Sequence, residues 1–494
     1  MNQYWILAAI LLPILGGALT PLLPFKKRNH MLIYLETITV ITSAISLNLL
    51  LHGTMPKLEV VHFVKDLSIS FKIDGMTMIF GGLVSVLWPF CMLYAFEYME
   101  HERKKAERIF FMFYSMTFGV TLGISYASNM LTMYMFYEML TLVTVPLIMH
   151  SLSREAILAT RKYLYYSLGG AAFAMMGMVF LIVYSDNACE FTMGGVLRTA
   201  ATDYRSNMFL IIYLLAFMGF GVKAAIWPMS GWLPDAGVAP TPVTGLLHAV
   251  AVVKAGAFGI IRLTYYCFGT EFLRGTWVQN VVMGFSMFTI VYGCAKAVSQ
   301  MHIKRRLAYS TVSNLSYILF GVTIMTPFGF VGAVCHMICH AFMKICSFFC
   351  AGAIMHKSEK KFINELDGMA KRMPIVFACF TVSALALAGV PGLAGFVSKW
   401  NLAEAAVESG NVQAYFGIAC LLISALLTVI YMMTVVFRAY FPRKGFDYST
   451  IEYVKDPSWK MCVPLIFFVI VIVALGLFSP RFVSFVWEIA EGIY

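Results

Sequence analysis

Charge is what this chain has little of. Asp, Glu, Lys and Arg make up 12% of its 494 residues, while 60% are hydrophobic. Soluble domains carry about a quarter charged residues, so a water-soluble globule is excluded and a bilayer must set the architecture. The opening stretch MNQYWILAAILLPILGG lacks a basic n-region and an A-x-A-like site, which predicts a permanent span and not a cleaved leader. A disulfide framework is missing too. Of the 11 cysteines, Cys91, Cys294, Cys379, Cys420 and Cys462 sit inside apolar segments, where a thiol behaves as a small hydrophobe. There is no glycine-rich phosphate loop, nucleophile triad or closed metal motif, so no catalytic chemistry is expected in the chain itself. The net charge of +11 does not mark a nucleic-acid binder, because the charges follow membrane loops.

Apolar runs of about 20 residues, the length that crosses a bilayer, recur along the chain. They cover 3–23, 31–52, 75–98, 109–126, 129–150, 161–185 and 207–228, then 241–266, 278–298, 307–326, 329–355, 373–402, 412–440 and 462–487. This predicts an all-α polytopic fold of about fourteen transmembrane helices, one membrane domain over 1–494. Loops after odd-numbered spans hold 23 of the 36 basic residues and the opposite loops hold seven. Such a bias places the odd loops in the cytoplasm and both termini outside. Glu36 and Glu97 lie near span ends and are expected to be solvated. In LSISFKID (67–74), Leu67, Ile69, Phe71 and Ile73 alternate with polar neighbours, the period of a strand. With EVVHFV (59–64) as partner, a small external β-hairpin is predicted.

Two spans should be discontinuous, since proline removes a backbone donor and clashes with the preceding turn. The seventh runs into VKAAIWPMSGWLPDAGVAPTP and the twelfth contains AGVPGLAGF. Each break adjoins Gly-Phe-x-x-Lys: GFGVK at 219–223 and GFVSK at 395–399. Matching breaks in spans 4–8 (109–266) and 9–13 (278–440) predict two inverted five-helix repeats, an arrangement that points to a transport site. Asp235 reads as structural, a cap for a short helix in the first proline-rich bend.

Six of the basic residues fall within spans. Arg262 and Lys296 are near span ends, but Lys223, Lys254, Lys344 and Lys399 interrupt long apolar stretches. A charged lysine at mid-membrane costs roughly 2.5–3.5 kcal/mol on the lenient insertion scale. With Glu138 in YMFYEMLTL, these lysines suggest a proton pathway; the competing reading of Glu138 and Lys223 is a static buried ion pair. His248 precedes Lys254 by six residues, a separation that one water would bridge. His336, His340 and Lys344 are spaced i, i+4, i+8 and share a helix face; histidine titrates near neutral pH. The competing reading there is helix–helix hydrogen bonding. Cys335, Cys339, Cys346 and Cys350 alternate with these histidines. Ligands spread over about 22 Å of one helix cannot close a tetrahedral metal site alone.

Glu138, GFGVK, WLPDAGVAPTPVTGLLHA (232–249), VVKAG around Lys254, KRRLAYSTVSN (304–314), HMICHAFMK (336–344) and GVPGLAGFVSK (389–399) belong together. The set resembles the antiporter-like subunits shared by Mrp-type sodium/proton antiporters, respiratory complex I and membrane-bound hydrogenases. The resemblance implies that Glu138 modulates Lys223, that Lys254 is a central relay, and that Lys399 exchanges with the outer side. The expected path is Glu138, Lys223, Lys254 with His248, then His336, His340, Lys344 and Lys399. The resemblance further implies no cofactor in this chain, other membrane subunits as partners, and a bacterial or archaeal cell membrane. Protons are the expected ions, with Na⁺ as the alternative. The chain ends after the fourteenth span without a long lateral helix, resembling the Mrp D-type or the middle antiporter-like component of complex I. In a redox-driven setting a peripheral iron–sulfur module would be added; in an antiporter setting it would not. A polytopic transferase using His248 or His336 would need a polar catalytic loop, and loops 53–74, 186–206 and 441–460 hold no convergent His/Asp set. A scaffold without transport is disfavoured by retention of every lysine.

Overall fold

A computed structural model describes residues 3–53, 56–63, 67–100, 104–185, 190–197 and 199–492, with main chain alone over 199–205. Val64 of the expected hairpin, and Lys65, Arg103 and Arg198 of the charge count, lie outside the described residues. The protein is mostly helical. It begins with α1 (Trp5–Leu19) and α2 (Arg28–Leu51), then an antiparallel pair, β1 (Leu58–His62) and β2 (Ser68–Phe71). Next come α3 (Gly75–Tyr98), α4 (Lys104–Tyr126), α5 (Met130–Ile148), α6 (Arg154–Tyr184), α7 (Thr199–Lys223) and the short α8 (Trp232–Asp235). A composite helix over Thr241–Phe268 follows. It consists of α9 (Thr241–Gly245), a π turn (Leu246–Val250), α10 (Val252–Ile261) and a second π segment (Arg262–Phe268). The remainder is α11 (Thr270–Leu273), α12 (Trp277–Ser299), α13 (Ile303–Ile324), α14 (Pro327–Ser358), α15 (Pro374–Ala388), α16 (Ala394–Glu408), α17 (Val412–Tyr440), α18 (Trp459–Leu477) and α19 (Ser479–Ala490).

Among the described residues, twelve helices are long and apolar enough to cross a membrane; α1 and α15 are shorter apolar helices. The composite helix is buried along all of its apolar window and α13 and α14 along 94% of theirs, against 39% in α6, α17 and α18. The first three therefore form the centre, and the others an apolar rim that a bilayer can solvate.

The expected hairpin is present. Leu58 pairs with Phe71 and His62 with Ser68, with a register shift between Glu59 and Val61. The expected alternation does not set the burial: Phe71 and Ile73 are buried, but so are Ser68 and Ser70, while Leu67 and Ile69 are only half-buried. The cause is that Ser68 and Ser70 face Ser128, Asn129 and Thr132. Asn129 fastens the hairpin to α5: its amide donates to Ser68 O at 2.8 Å while its carbonyl oxygen caps Thr132 N, also at 2.8 Å. Asp74 caps α3 through Thr77 N, and Thr326 caps α14 ahead of Pro327 at the first helical position.

Three sequence expectations, on Glu97, Glu36 and Asp235, need correction. Glu97 is buried, not solvated: it accepts from Ser458 N (3.0 Å) and Ser458 Oγ (2.5 Å) and pairs with Lys357 at 2.9 Å, because the start of α18 packs over it. Glu36 is half-buried, with Oε2 enclosed. Arg262 is fully buried despite its place near a span end. Asp235 ends α8 and caps nothing; it bridges Lys162 (2.7 Å) and Arg305 (3.0 Å).

Candidate functional site

Lys223 is the last residue of α7. Beyond it Ala225 adopts φ 56°, so the chain turns away from the helix axis. The indole of Trp232 donates to Val222 O at 2.8 Å, satisfying one carbonyl of the helix end. Gly219 lets α7 touch α6, since a Cβ there would lie 2.6 Å from Ala174 N and 2.7 Å from Gly170 O. The Lys223 ammonium is buried. It donates to Tyr137 O at 2.5 Å, lies 3.4 Å from the Tyr137 ring centroid and is 3.5 Å from Glu138 Oε1. Among the described residues that carboxylate oxygen has no hydrogen-bond partner, and its side chain is 24% exposed. The pair is thus single-contact, with one member able to reach its surroundings.

No hydrogen bond or ion pair links Lys223 to Lys254 among the described residues. The α10 backbone lies against the α7 end instead, with a Cβ on Gly256 only 2.8 Å from Lys223 C. Lys254 is fully buried, and its Nζ is 2.6 Å from His340 Nδ1. His340 and His336 stack with centroids 5.8 Å apart, and His336 Nδ1 is 2.9 Å from Ser398 Oγ. Tyr317 stacks on His336 at 5.0 Å and also lies 5.6 Å from the Lys399 ammonium. Lys399 donates to Leu387 O (2.7 Å) and Ala388 O (3.2 Å), the last carbonyls where α15 stops. Lys254, His340, His336 and Lys399 are therefore brought together by α10, α14, α13 and α16.

Two predicted residues stand aside from that run. Lys344 turns to α13, donating to Ser310 Oγ (2.5 Å) and Leu307 O (3.3 Å); Ser310 is in turn 2.6 Å from Tyr431 Oη. His248 lies in the π turn, where Ala251 N bonds Leu246 O. It is fully buried, its ring is 4.7 Å from Phe348, and neither ring nitrogen has a hydrogen-bond partner among the described residues. His336 Nε2, His340 Nε2 and Asn314 Oδ1 share that condition. Buried polar atoms are nearly always paired or hydrated.

The residues 127–428 match the family described as NADH:quinone oxidoreductase/Mrp antiporter, TM. The chain belongs to that family. Residues 63–111 also match the complex I chain 5 N-terminus. Relatives of this antiporter-family chain include NADH-quinone oxidoreductase subunit N of Desulforudis audaxviator, 28% identical over 427 residues that cover 83% of each protein. One Na(+)/H(+) antiporter subunit of Alkalihalophilus pseudofirmus is 29% identical over 443 residues, 84% of this chain and 53% of the relative. The same fold occurs in an archaeal membrane-bound sulfane sulfur reductase (TM-score 0.84, 21% identity, 99% of this chain and 97% of that one). It occurs also in the Mrp complex from Dietzia sp. (0.83, 20%, 100% and 98%). The family expected from the motifs is thus the family found.

Sequence reasoning missed the partners. Ser310, Asn314 and Tyr317 sit in the polar run of α13, whose Ser, Thr and Asn content inside an apolar span was the available signal. The pair of Arg262 with Asp74 was missed as well. Arg262 donates to both carboxylate oxygens at 2.6 and 2.7 Å and lies 4.5 Å from the Tyr266 ring centroid. Burial pushes the Asp74 carboxyl up, but Arg262 and the Thr77 N–H outweigh it and hold it below the usual carboxylate range. No group of three or more His, Cys, Asp or Glu side chains fit to hold a metal occurs among the described residues.

Proposed function

We propose that this chain moves protons through the membrane part of a multi-subunit complex, along Glu138, Lys223, Lys254, His340, His336 and Lys399, with His248 and Lys344 beside that run. The observation that carries the reading is the buried run Lys254–His340–His336 ending beside Lys399, with unpartnered ring nitrogens along it. Glu138 sits where its approach or withdrawal changes the charge next to Lys223. Moving one charge against 100 mV takes about 2.3 kcal/mol, and each pKa unit is about 1.4 kcal/mol. A swing of about two units at one lysine is therefore enough.

The same reading holds fourteen spans with α1 and α15 among them, both termini outside, and inverted repeats over 109–266 and 278–440. Supporting it, Lys223 and Lys399 each adjoin a helix break and a tyrosine ring. The setting is a Mrp-like antiporter or a redox-driven complex with an iron–sulfur module, and the coupled ion is H⁺ or Na⁺. Co-purifying subunits decide the first choice. For transport itself, Lys223→Ala and Glu138→Ala complexes in proteoliposomes should assemble yet lose proton movement read by a pH-sensitive dye. Normal rates in both would sink the proposal, and repeating the assay with and without Na⁺ identifies the ion.

A further inference from the structure

Away from the axis, a cavity of about 740 Å³ opens between α6, the turn after α8, the α12–α13 corner and the segment following α14. Main-chain pairing of His302 with Phe362, and of Ile303 N with Lys361 O, holds the last two together. Four cations converge on it, Lys162, Lys304, Arg305 and Lys361, against two carboxylates, Glu155 and Asp235. Asp235 is already shared between Lys162 and Arg305. Lys304 is the telling member. It is 4% exposed, its ammonium donates only to Gly237 O (3.2 Å) and Ala239 O (2.8 Å), and no carboxylate pairs with it among the described residues. A buried cation without a counter-charge is costly. The positive potential is also felt by His302, whose imidazole is pushed down to about 4 by burial, Lys304, Arg305 and Lys361. Basic side chains thus outnumber carboxylates four to two in the lining.

An apolar track leaves its mouth. Leu158 lines the cavity and is 53% exposed, and Tyr165, Leu168, Met175 and Val179 continue the same exposed face of α6. We propose that this cavity binds a phosphate group, either the headgroup of an anionic phospholipid whose chains follow α6 or free phosphate. Basic pockets between transmembrane helices on the cytoplasmic side suit such headgroups. The site is independent of the proton path, since none of its four cations belongs to it.

The test uses the assembled complex in phosphatidylcholine nanodiscs with or without phosphatidylglycerol, lipid retention being read by native mass spectrometry. A parallel arm titrates inorganic phosphate into the phosphatidylcholine sample and follows thermal unfolding. Preferential retention of phosphatidylglycerol, reduced roughly tenfold in Arg305→Gln/Lys361→Gln, assigns a lipid. A phosphate-dependent rise in unfolding temperature, lost in the same double variant and without lipid retention, assigns free phosphate. Asp235→Asn releases Lys162 and Arg305 and should strengthen binding in whichever arm responds, a gain that misfolding cannot imitate. Equal retention of both lipids together with no phosphate response, or weaker binding by Asp235→Asn, overturns the proposal.

Discussion

Two buried ion pairs in this protein are built on opposite plans. Arg262 grips Asp74 with two short bonds, the carboxylate also caps α3, and aromatic rings enclose the guanidinium. Lys223 meets Glu138 once, at 3.5 Å, and takes its firmer bond from a main-chain carbonyl. The first arrangement commits both carboxylate oxygens to the guanidinium and resists change, as bidentate pairing does. The second leaves a carboxylate oxygen free and an ammonium that keeps a hydrogen bond if the carboxylate withdraws. Burial alone does not decide how readily a pair can part; the number and redundancy of contacts does. Lys399 adds a third case, facing the fixed negative end of α15 and, among the described residues, no carboxylate.

The largest expected effect is on transport. Glu138→Gln and Lys223→Ala should each reduce proton movement in proteoliposomes at least tenfold, the lower end of what a positioned proton-transfer group contributes. Glu138→Gln should do so with thermal stability close to wild type, because the pair is single-contact and its carboxylate partly exposed. Asp74→Asn reverses that pattern. Leaving Arg262 buried and unpaired should cost about 3–5 kcal/mol of stability, while pumping per folded complex persists; unaltered thermal unfolding would erase the contrast.

Acid offers a second handle on the Arg262–Asp74 pair. Asp74 is depressed in the folded state, so its contribution is fully present above the unfolded value of about 3.9. It fades as pH falls through the lower folded value. Unfolding temperature should show this acid-dependent loss in wild type and not in Asp74→Asn. A smaller effect belongs to Arg262→Lys, which keeps the charge but forfeits one of two charge-assisted bonds, about 1.5–3 kcal/mol. Smallest is Lys357→Gln: its ammonium is 31% exposed and Glu97 keeps both Ser458 bonds. Chemical denaturation should report about 1 kcal/mol or less.

What the sequence revealed follows the physics of each signal. Lys223, Lys254, Lys344 and Lys399 were legible because charge in an apolar run is conspicuous without any fold. The hairpin was legible because its period is local. Arg262 was not, since its partner lies 188 residues away and its position near a span end gave an ordinary explanation. Glu97 failed the same way, its burial depending on α18. Lys304 passed as one of a basic loop cluster, and only the packed turn after α8 turns it into a buried cation. The composite helix was read as one regular span because π turns leave no mark in hydropathy.

That π turn at Leu246–Val250 has a consequence for how this axis could have arisen. A π turn is an α-helix carrying one residue more than its turn requires, and such bulges persist mostly where function holds them. Removing a single residue from it should let the main chain close into ordinary α-helix. The same deletion would rotate His248 by about 100° relative to Lys254. Here the more regular polymer would be the poorer conductor.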